Sequence, residues 1–102
     1  MKYLRLSNND LYELPEEIGE LENLEELILN NNHLTNLPNS IGRLKKLRNL
    51  EVYNNNIEKF CDSISGLTGL KTLDYQGNPA AESANELIRL RAFLPFTKIL
   101  NK

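Results

Sequence analysis

Apolar residues recur along this chain with a period of 23 residues. Three of the columns, read at successive turns of the period, are Met1, Leu24, Leu47 and Leu70; Leu4, Leu27, Leu50 and Leu73; and Ile18, Ile41, Ile64 and Leu87. Asparagine fills a further column four times, at Asn9, Asn32, Asn55 and Asn78. A fixed period in the twenties with apolar residues in phase predicts a solenoid, because each turn can bury its apolar side chains only against its neighbours.

Each unit begins with a segment that alternates as a β-strand does. In Leu27-Ile28-Leu29 the two leucines point to one side of the strand and Ile28 points to the other. Successive units therefore predict a parallel sheet with strands about 4.8 Å apart. The asparagine that follows each strand is expected where the chain turns inward, so that its amide satisfies backbone groups left unpaired by the turn. We interpret the four asparagines as structural.

The unit from Leu24 to Lys46 reads L-x-x-L-x-L-x-x-N-x-L-x-x-L-P-x-x-I-x-x-L-x-x. This pattern resembles the leucine-rich repeat family, and within it the 23-residue class with Leu-Pro and Ile-Gly in the second half of the unit. The resemblance implies a right-handed α/β solenoid with a parallel sheet on its concave face. We predict repeats over residues 1–78, in units that begin at residues 1, 24, 47 and 70. The Ile41-Gly42 step and its equivalent in the first unit are expected to permit a tight convex bend.

The pattern changes after Asn78, and we predict a C-terminal cap over residues 79–102. Ser83 and Glu86 have the spacing of a capping box ahead of an apolar run. A helix is expected from about Ala84 to Phe93, because the following Leu94-Pro95 step cannot continue it. The tail alternates apolar residues up to Leu100, and the whole segment resembles the C-terminal cap of intracellular and bacterial members of the family.

No comparable cap precedes Met1 in the sequence. The first strand, expected at about Tyr3 to Leu6, would then present an unpaired sheet edge. Terminal repeats of a solenoid normally carry a polar covering. Either further residues precede Met1, or a partner covers the edge, and a homodimer that pairs through this edge is one hypothesis.

Composition narrows the classes of partner and location. The 102 residues suit one domain, and the net charge of −2 gives no reason to expect nucleic acid or an anionic membrane as partner. No apolar run approaches the roughly 18 residues of a membrane span. The single cysteine, Cys61, and the absence of a signal peptide favour a reducing, cytoplasmic location. We interpret Cys61 as a small packed side chain rather than a reactive thiol.

Charged residues are segregated along the repeats. Residues 13–26 hold seven glutamates and no base, whereas residues 43–48 hold four bases and no acid. Several opposite charges share a repeat position, as Glu20 does with Arg43 and Glu22 with Lys45. We expect these opposite charges to stack on adjacent turns and so to fix the register of the repeats. Each exposed pair would contribute only about 0 to 1 kcal/mol to stability.

The strand residues that point away from the core define the predicted binding surface. On the concave face they comprise Tyr3, Arg5, Glu26, Ile28, Glu51, Tyr53 and Asp74, with Asn30 and others beside them. Ile28 and Tyr53 have no core role there, and Tyr is favoured as an interface anchor. A mixed face of this kind suits a protein or peptide better than DNA, which would require rows of Lys and Arg.

Nothing in the sequence favours catalysis. The single histidine, His33, has no second histidine or cysteine beside it to complete a metal or nucleophilic set. No glycine-rich loop is followed by the Lys-Ser/Thr pair of a phosphate site. We therefore expect no enzyme activity, no metal and no cofactor.

These observations lead to one functional hypothesis and two alternatives. The chain is predicted to be a non-enzymatic module that binds a protein or peptide on its concave face. The first alternative is a structural unit that self-assembles through its N-terminal edge. The second is a fragment of a larger adhesin or regulatory leucine-rich repeat protein.

Overall fold

The computed structural model describes residues 1–102 as a parallel sheet on one side and short helices on the other. The sheet has five strands in chain order, and every neighbouring pair is parallel. The strands are β1 (Tyr3–Arg5), β2 (Glu26–Ile28), β3 (Asn49–Glu51), β4 (Thr72–Asp74) and β5 (Lys98–Leu100). The C-terminal tail, in which apolar residues were expected to alternate, forms the fifth strand and pairs with β4.

The 23-residue period appears in the structure as strand register. Leu4 pairs with Leu27, Leu27 with Leu50, and Leu50 with Leu73. Ile99 of β5 then continues this row beside Leu73. The row faces a continuous core in which Leu27, Leu50 and Leu73 are fully buried. Each turn therefore buries its leucines between two neighbours, as expected for a solenoid.

Short 3-10 helices lie on the side of the core opposite the sheet. They span Glu16–Glu20, Asn39–Arg43, Asp62–Gly66 and Pro79–Glu82. The residues that precede the first two are Pro15 and Pro38, whose backbones are extended. Cys61 precedes the third helix with almost the same dihedral angles, φ −66° and ψ 154°. The third unit therefore keeps the backbone path of the others although Cys61 replaces the proline.

The glycines of the Ile-Gly steps serve close packing between turns rather than unusual backbone angles. Of the five glycines, only Gly77 has a positive φ. A Cβ at Gly19 would lie 2.6 Å from the Cβ of Ser40, and one at Gly42 would lie 2.4 Å from the carbonyl oxygen of Ser63. The expectation that backbone freedom explains these glycines was therefore wrong. Ser65 stands at the position of Gly19 and Gly42 in the third unit. It is exposed, so a side chain can be accommodated there.

Left-handed backbone occurs at a repeat position that the sequence analysis did not single out. Asn8, Asn31 and Asn54 have φ between 55° and 61°, and Gly77 has φ 73° in the same column. Asn and Gly are the residues that adopt this region most readily. The turn after each strand requires left-handed backbone at this position, which explains why the column contains Asn three times and Gly once.

The asparagine ladder joins each turn to the one before it. The Nδ2 group of Asn55 donates to the carbonyl oxygens of Val52 at 2.9 Å and Leu29 at 3.0 Å, while its Oδ1 accepts from the Leu34 N–H at 3.0 Å. Asn32 and Asn78 make the equivalent bonds to the turns before them. All three side chains are buried, whereas Asn9 is exposed and donates only to the Ser7 carbonyl.

The C-terminal cap begins with the last 3-10 helix and continues into the single α-helix, α1 (Ala84–Phe93). The Ser83 hydroxyl accepts a hydrogen bond from the Glu86 N–H, which is one half of a capping box. The Glu86 carboxylate does not return to Ser83. It is buried and accepts instead from the Phe60 N–H at 2.9 Å and from Arg89. Glu86 therefore ties the cap to the third repeat.

Phe60 is accommodated by an aromatic contact. Its ring meets that of Tyr75 edge to face, with centroids 5.5 Å apart, and both side chains are buried. Such pairs add to the stability that burial alone gives.

No helix of the structure has the length and apolar character needed to cross a bilayer.

We predict that Asn55→Ala lowers the free energy of unfolding by about 1 to 3 kcal/mol, because the substitution leaves the buried Leu34 N–H unpaired and removes one of the two amide donors from each of the Leu29 and Val52 carbonyl oxygens. Urea denaturation followed by circular dichroism measures this change. Asn9→Ala is the matched control, since that side chain is exposed and makes a single bond; it should cost less than about 0.5 kcal/mol. Equal losses for the two variants would contradict the structural role of the ladder.

A second prediction concerns Tyr75, whose buried hydroxyl has no hydrogen-bond partner in the protein. Burial, and then the carboxylate of Glu86, raise the pKa of this hydroxyl above its ordinary value of 10.0. The folded chain thus keeps the proton at a pH where the unfolded chain has lost it, so this contribution to stability falls as the pH rises through about 10.

Tyr75→Phe should match or exceed the native stability at pH 7, by up to about 1 kcal/mol, and should lose less stability than the native chain near pH 10. Chemical denaturation at both pH values tests this. A Phe variant that is clearly less stable at pH 7, or equally sensitive near pH 10, would contradict it.

Candidate functional site

The candidate site is the side of the sheet that points away from the core, which we call the sheet face. The strand register places its side chains in two rows. The first row contains Tyr3, Glu26, Asn49, Thr72 and Lys98, and the second contains Arg5, Ile28, Glu51, Asp74 and Leu100. A third row follows the strands at Ser7, Asn30, Tyr53 and Gln76. The residues predicted from the sequence for the binding surface all lie in these rows.

An ion pair forms at the N-terminal side of the sheet face. The Nη2 and Nε atoms of Arg5 donate to Oε1 of Glu26 at 2.8 and 3.1 Å. The Arg5 guanidinium also lies 5.8 Å from the centroid of the Tyr3 ring. The Arg5 side chain is 68% exposed, so this pair fixes orientation more than it adds stability.

The two carboxylates at the centre and far side of the face also have partners within the protein. The two oxygens of Glu51 accept from the side-chain amides of Asn30 at 3.0 Å and Asn49 at 2.9 Å. Oδ1 of Asp74 accepts from the backbone and side-chain N–H groups of Gln76. The side chains of Arg5, Glu26, Glu51 and Asp74 are thus held in place before any partner arrives.

Ile28 and Tyr53 lie among these fixed polar groups. Ile28 stands between Arg5 and Glu51 in the second row, and Tyr53 follows β3 in the third row. Both are half-buried, and neither belongs to the core cluster. They are the apolar surface at the centre of the face.

The structure corrects the expected position of Asn30. The sequence placed it outward on the concave face, but its side chain is only 5% exposed. Its Oδ1 accepts from the Tyr53 N–H at 2.9 Å, as the Ser7 hydroxyl accepts from the Asn30 N–H at 3.1 Å. The side chains of Ser7 and Asn30 therefore turn toward the next repeat and hold its backbone, whereas those of Tyr53 and Gln76 do not.

The fifth strand adds two residues to the face that were not predicted as part of the binding surface. Lys98 and Leu100 stand beside Thr72 and Asp74, so they extend both rows by one strand. The signal was present in the alternation Lys98-Ile99-Leu100, in which Ile99 joins the core row. Leu100 is half-buried and places an apolar side chain at the C-terminal side of the face.

Of the opposite charges that stack on adjacent turns, Lys2 and Glu25 form an ion pair at 3.9 Å, but those between the first two 3-10 helices and the residues after them do not. Glu20 and Arg43 lie on adjacent turns, as do Glu22 and Lys45, but neither pair is within 4.0 Å. The Nζ group of Lys45 instead donates to the Gly66 carbonyl oxygen at 2.7 Å. Glu20 and Arg43, and Glu22 and Lys45, thus stack as expected without bonding, because a shared repeat position does not fix where long side chains point. The ion pairs that do form involve Lys2, Arg5, His33 and Arg89.

Neither Cys61 nor His33 is placed as part of a reaction centre. Cys61 is half-buried, with its Sγ 2.9 Å from the Ser63 hydroxyl. His33 stacks on the exposed ring of Tyr12, and its Nε2 lies 3.2 Å from Oδ1 of Asp10. No three His, Cys, Asp or Glu side chains are grouped so that they could hold a metal ion.

Comparisons with known proteins agree with the geometry. The structure is similar to that of a leucine-rich repeat protein from Leptospira interrogans, with a TM-score of 0.92 and 42% sequence identity. That match covers 97% of this chain and 25% of the Leptospira protein, so the chain spans about a quarter of its length. No curated protein matches the chain.

A family model described as a leucine-rich repeat region matches residues 1–95. This range includes the four repeats and helix α1. The chain therefore belongs to the leucine-rich repeat family.

Proposed function

We propose that this chain is a non-enzymatic interaction module that binds a protein or peptide on its sheet face. The leucine-rich repeat fold commonly mediates protein–protein interaction, which supports the general class of function. The observation that carries the specific proposal is the position of Ile28 and Tyr53, two partly exposed apolar side chains outside the core and surrounded by fixed polar groups. Apolar anchors inside a polar rim are the usual anatomy of a protein interface.

The mechanism we propose is rigid presentation. Arg5, Glu26, Glu51 and Asp74 are already held by hydrogen bonds within the protein. A partner would therefore meet them with little further loss of side-chain entropy, which favours binding. In this proposal Ile28 and Tyr53 supply affinity, while the four charged groups and Tyr3 select the orientation of the partner.

The dimensions of the face suit a small partner. Strands about 4.8 Å apart give a five-stranded face roughly 20 Å across, which fits a peptide or the edge of one domain. An area of this size is at the small end of specific interfaces, so we propose affinity in the micromolar range.

The charge of the face argues for a protein partner over DNA. Its two strand rows contain three carboxylates and only Arg5 and Lys98 as cations. Phosphate backbones are bound by rows of Lys and Arg. We propose no nucleic-acid, membrane or cofactor partner for the sheet face.

We predict that the double substitution Ile28→Ala, Tyr53→Ala weakens partner binding at least about tenfold, because it removes both proposed anchors. The measurement is a pull-down from a lysate of the organism that encodes the chain, quantified by mass spectrometry and followed by titration of the captured protein. Tyr12→Ala is the matched control, since Tyr12 is an exposed aromatic residue outside the sheet face; it should leave capture unchanged.

The same variants must be checked for folding. Because Ile28 and Tyr53 are only half-buried, the melting temperature of the double variant should fall by no more than a few degrees. Equal capture by all three chains would refute binding on the sheet face. Cooperative unfolding of the double variant at ordinary temperature would show that the two side chains are structural.

The edge of β1 that has no neighbouring strand within residues 1–102 favours self-assembly as a second candidate. Strand β1 pairs with β2 alone, and Leu4, Leu6 and Leu11 are only half-buried, whereas Leu27, Leu29 and Leu34 at the equivalent positions are fully buried. An exposed strand edge with apolar side chains beneath it is a template for pairing with another chain. We propose that, in this case, two copies associate through β1.

This candidate predicts a dimer at high micromolar concentration that Asn9→Lys disrupts, because a charge would be placed at the edge. Asn36→Lys introduces the same charge at an exposed asparagine elsewhere and should leave the mass unchanged. Light scattering over a concentration series measures both. A native chain that stays monomeric throughout would exclude self-assembly through β1.

A further inference from the structure

A second charged surface lies where the chain enters β3 and β4, beside the first row of the sheet face. It is a shallow depression of about 420 Å³ lined by Glu25, Lys45, Lys46, Arg48, Gly69 and Lys71. We call it the basic depression. Four of its six lining residues are cations, in a chain whose net charge is −2.

The four cations have no acidic partner within the protein. The Nζ of Lys45 is held by the Gly66 carbonyl oxygen at 2.7 Å, and that of Lys46 by Oδ1 of Asn23 at 3.0 Å. These neutral oxygens fix the two ammonium groups without neutralising them. No carboxylate lies within 4.0 Å of the charged groups of Arg48 and Lys71, and Glu25 is paired with Lys2 at 3.9 Å.

The backbone beneath the depression is rigid. The Arg48 N–H donates to the Glu25 carbonyl oxygen at 2.8 Å, and the Lys71 N–H donates to that of Arg48, also at 2.8 Å. Arg48 and Lys71 occupy the same repeat position, each immediately before a strand. Their charges are thus presented on adjacent turns at a spacing set by the sheet, about 4.8 Å between backbones.

Acidic residues limit the depression on one side. Lys45 and Arg43 also line a neighbouring hollow together with Glu20 and Glu22 of the first repeat, and Glu25 lies within the basic depression itself. A long polyanion that continued past the four cations toward the first repeat would meet these carboxylates. The charge distribution therefore fits a short run of negative charge rather than an extended one.

We propose that the basic depression is a second interaction surface, which binds a short acidic segment of a partner protein. Carboxylates spaced along an extended peptide would meet Lys45, Lys46, Arg48 and Lys71. The interaction is electrostatic, so it contributes orientation and association rate and weakens as salt is added. It uses none of the sheet-face residues and does not depend on the function proposed for them.

Nucleic acid and sulfated polysaccharide fit the depression less well. Both are long chains with regularly repeated charge, and their affinity grows with the number of cations they contact in sequence. Here four cations are followed by glutamates on the first-repeat side. A protein segment with a few clustered acids matches this limited extent.

The test uses a fluorescein-labelled peptide with four consecutive glutamates between glycines, titrated with the full chain by fluorescence polarisation. We expect saturable binding at low salt and a loss of affinity of about tenfold or more in 0.2 M NaCl. A peptide with four glutamines in place of the glutamates should not bind. Absence of saturable binding of the glutamate peptide, or equal binding of the glutamine peptide, would overturn the proposal.

Charge reversal locates the surface. Arg48→Glu with Lys71→Glu should weaken binding of the glutamate peptide by at least about tenfold. Both positions are exposed, and Glu25 already occupies the same column, so the fold should accept the change, which circular dichroism checks. The control, Lys59→Glu with Lys102→Glu, makes the same change in net charge at exposed lysines outside the depression and should alter affinity less than about twofold. An equal loss in both variants would show that only net charge matters and would overturn the proposal.

Two further comparisons separate the alternatives. The Ile28→Ala, Tyr53→Ala chain should bind the glutamate peptide as the native chain does, so the result is independent of the sheet face. A sulfated oligosaccharide of equal charge should compete no better than unlabelled glutamate peptide. Clearly stronger competition by the oligosaccharide would assign the depression to a polysaccharide and overturn the proposal of a protein partner.

Discussion

Each turn of this solenoid must satisfy the backbone groups that its inward bend takes away from water, and one asparagine per turn does so. The amides of Asn32, Asn55 and Asn78 donate to carbonyl oxygens of their own turn and of the turn before. Their oxygens accept from a backbone N–H of the preceding turn. Because unpaired buried backbone groups are costly, this bonding fixes the distance and register between neighbouring turns. The leucine core and the sheet follow from that register.

The register in turn makes the sheet face rigid. Strands aligned at equivalent positions bring Ile28 between Arg5 and Glu51, and bring Asn30 within reach of both Glu51 and the Tyr53 backbone. No side chain of this face is needed to fill the core, so its residues are available for recognition. The basic depression depends on the same alignment, since Arg48 and Lys71 share a repeat position. The same register between turns thus aligns the residues of both the sheet face and the basic depression.

Most of the fold could be predicted from the sequence because the period is a one-dimensional property of the chain. The 23-residue spacing is sufficient to place Leu4, Leu27, Leu50 and Leu73 in one row, and helix α1 occupies the range indicated by Ser83 and Pro95. The details of side-chain partners could not be predicted in this way. Glu86 bonds to Phe60 rather than to its own helix terminus, and Lys45 bonds to a carbonyl oxygen rather than to Glu22. Such choices depend on which of several polar groups lies nearest in three dimensions.

The candidate site was predicted in the same uneven way. Period 2 identified the outward residues of four strands, but it could not show that Asn30 turns inward to hold the next repeat. The glycine positions illustrate the same limit. Gly19 and Gly42 could be recognised as a column, yet the reason for them is the adjacent turn packed against each one. Contacts between turns are visible only once the turns are assembled.

The central claim, that the asparagine ladder holds the turns together, is tested most directly by native-state hydrogen exchange. The Leu34 and Ile57 N–H groups donate to Oδ1 of Asn55 and Asn78, and both residues are fully buried. Their amides should exchange only when the whole chain unfolds, with an opening free energy equal to the global value. Exchange of these two amides at a rate close to that of the exposed Thr35 would contradict the account, because the ladder bonds would then open without unfolding the solenoid.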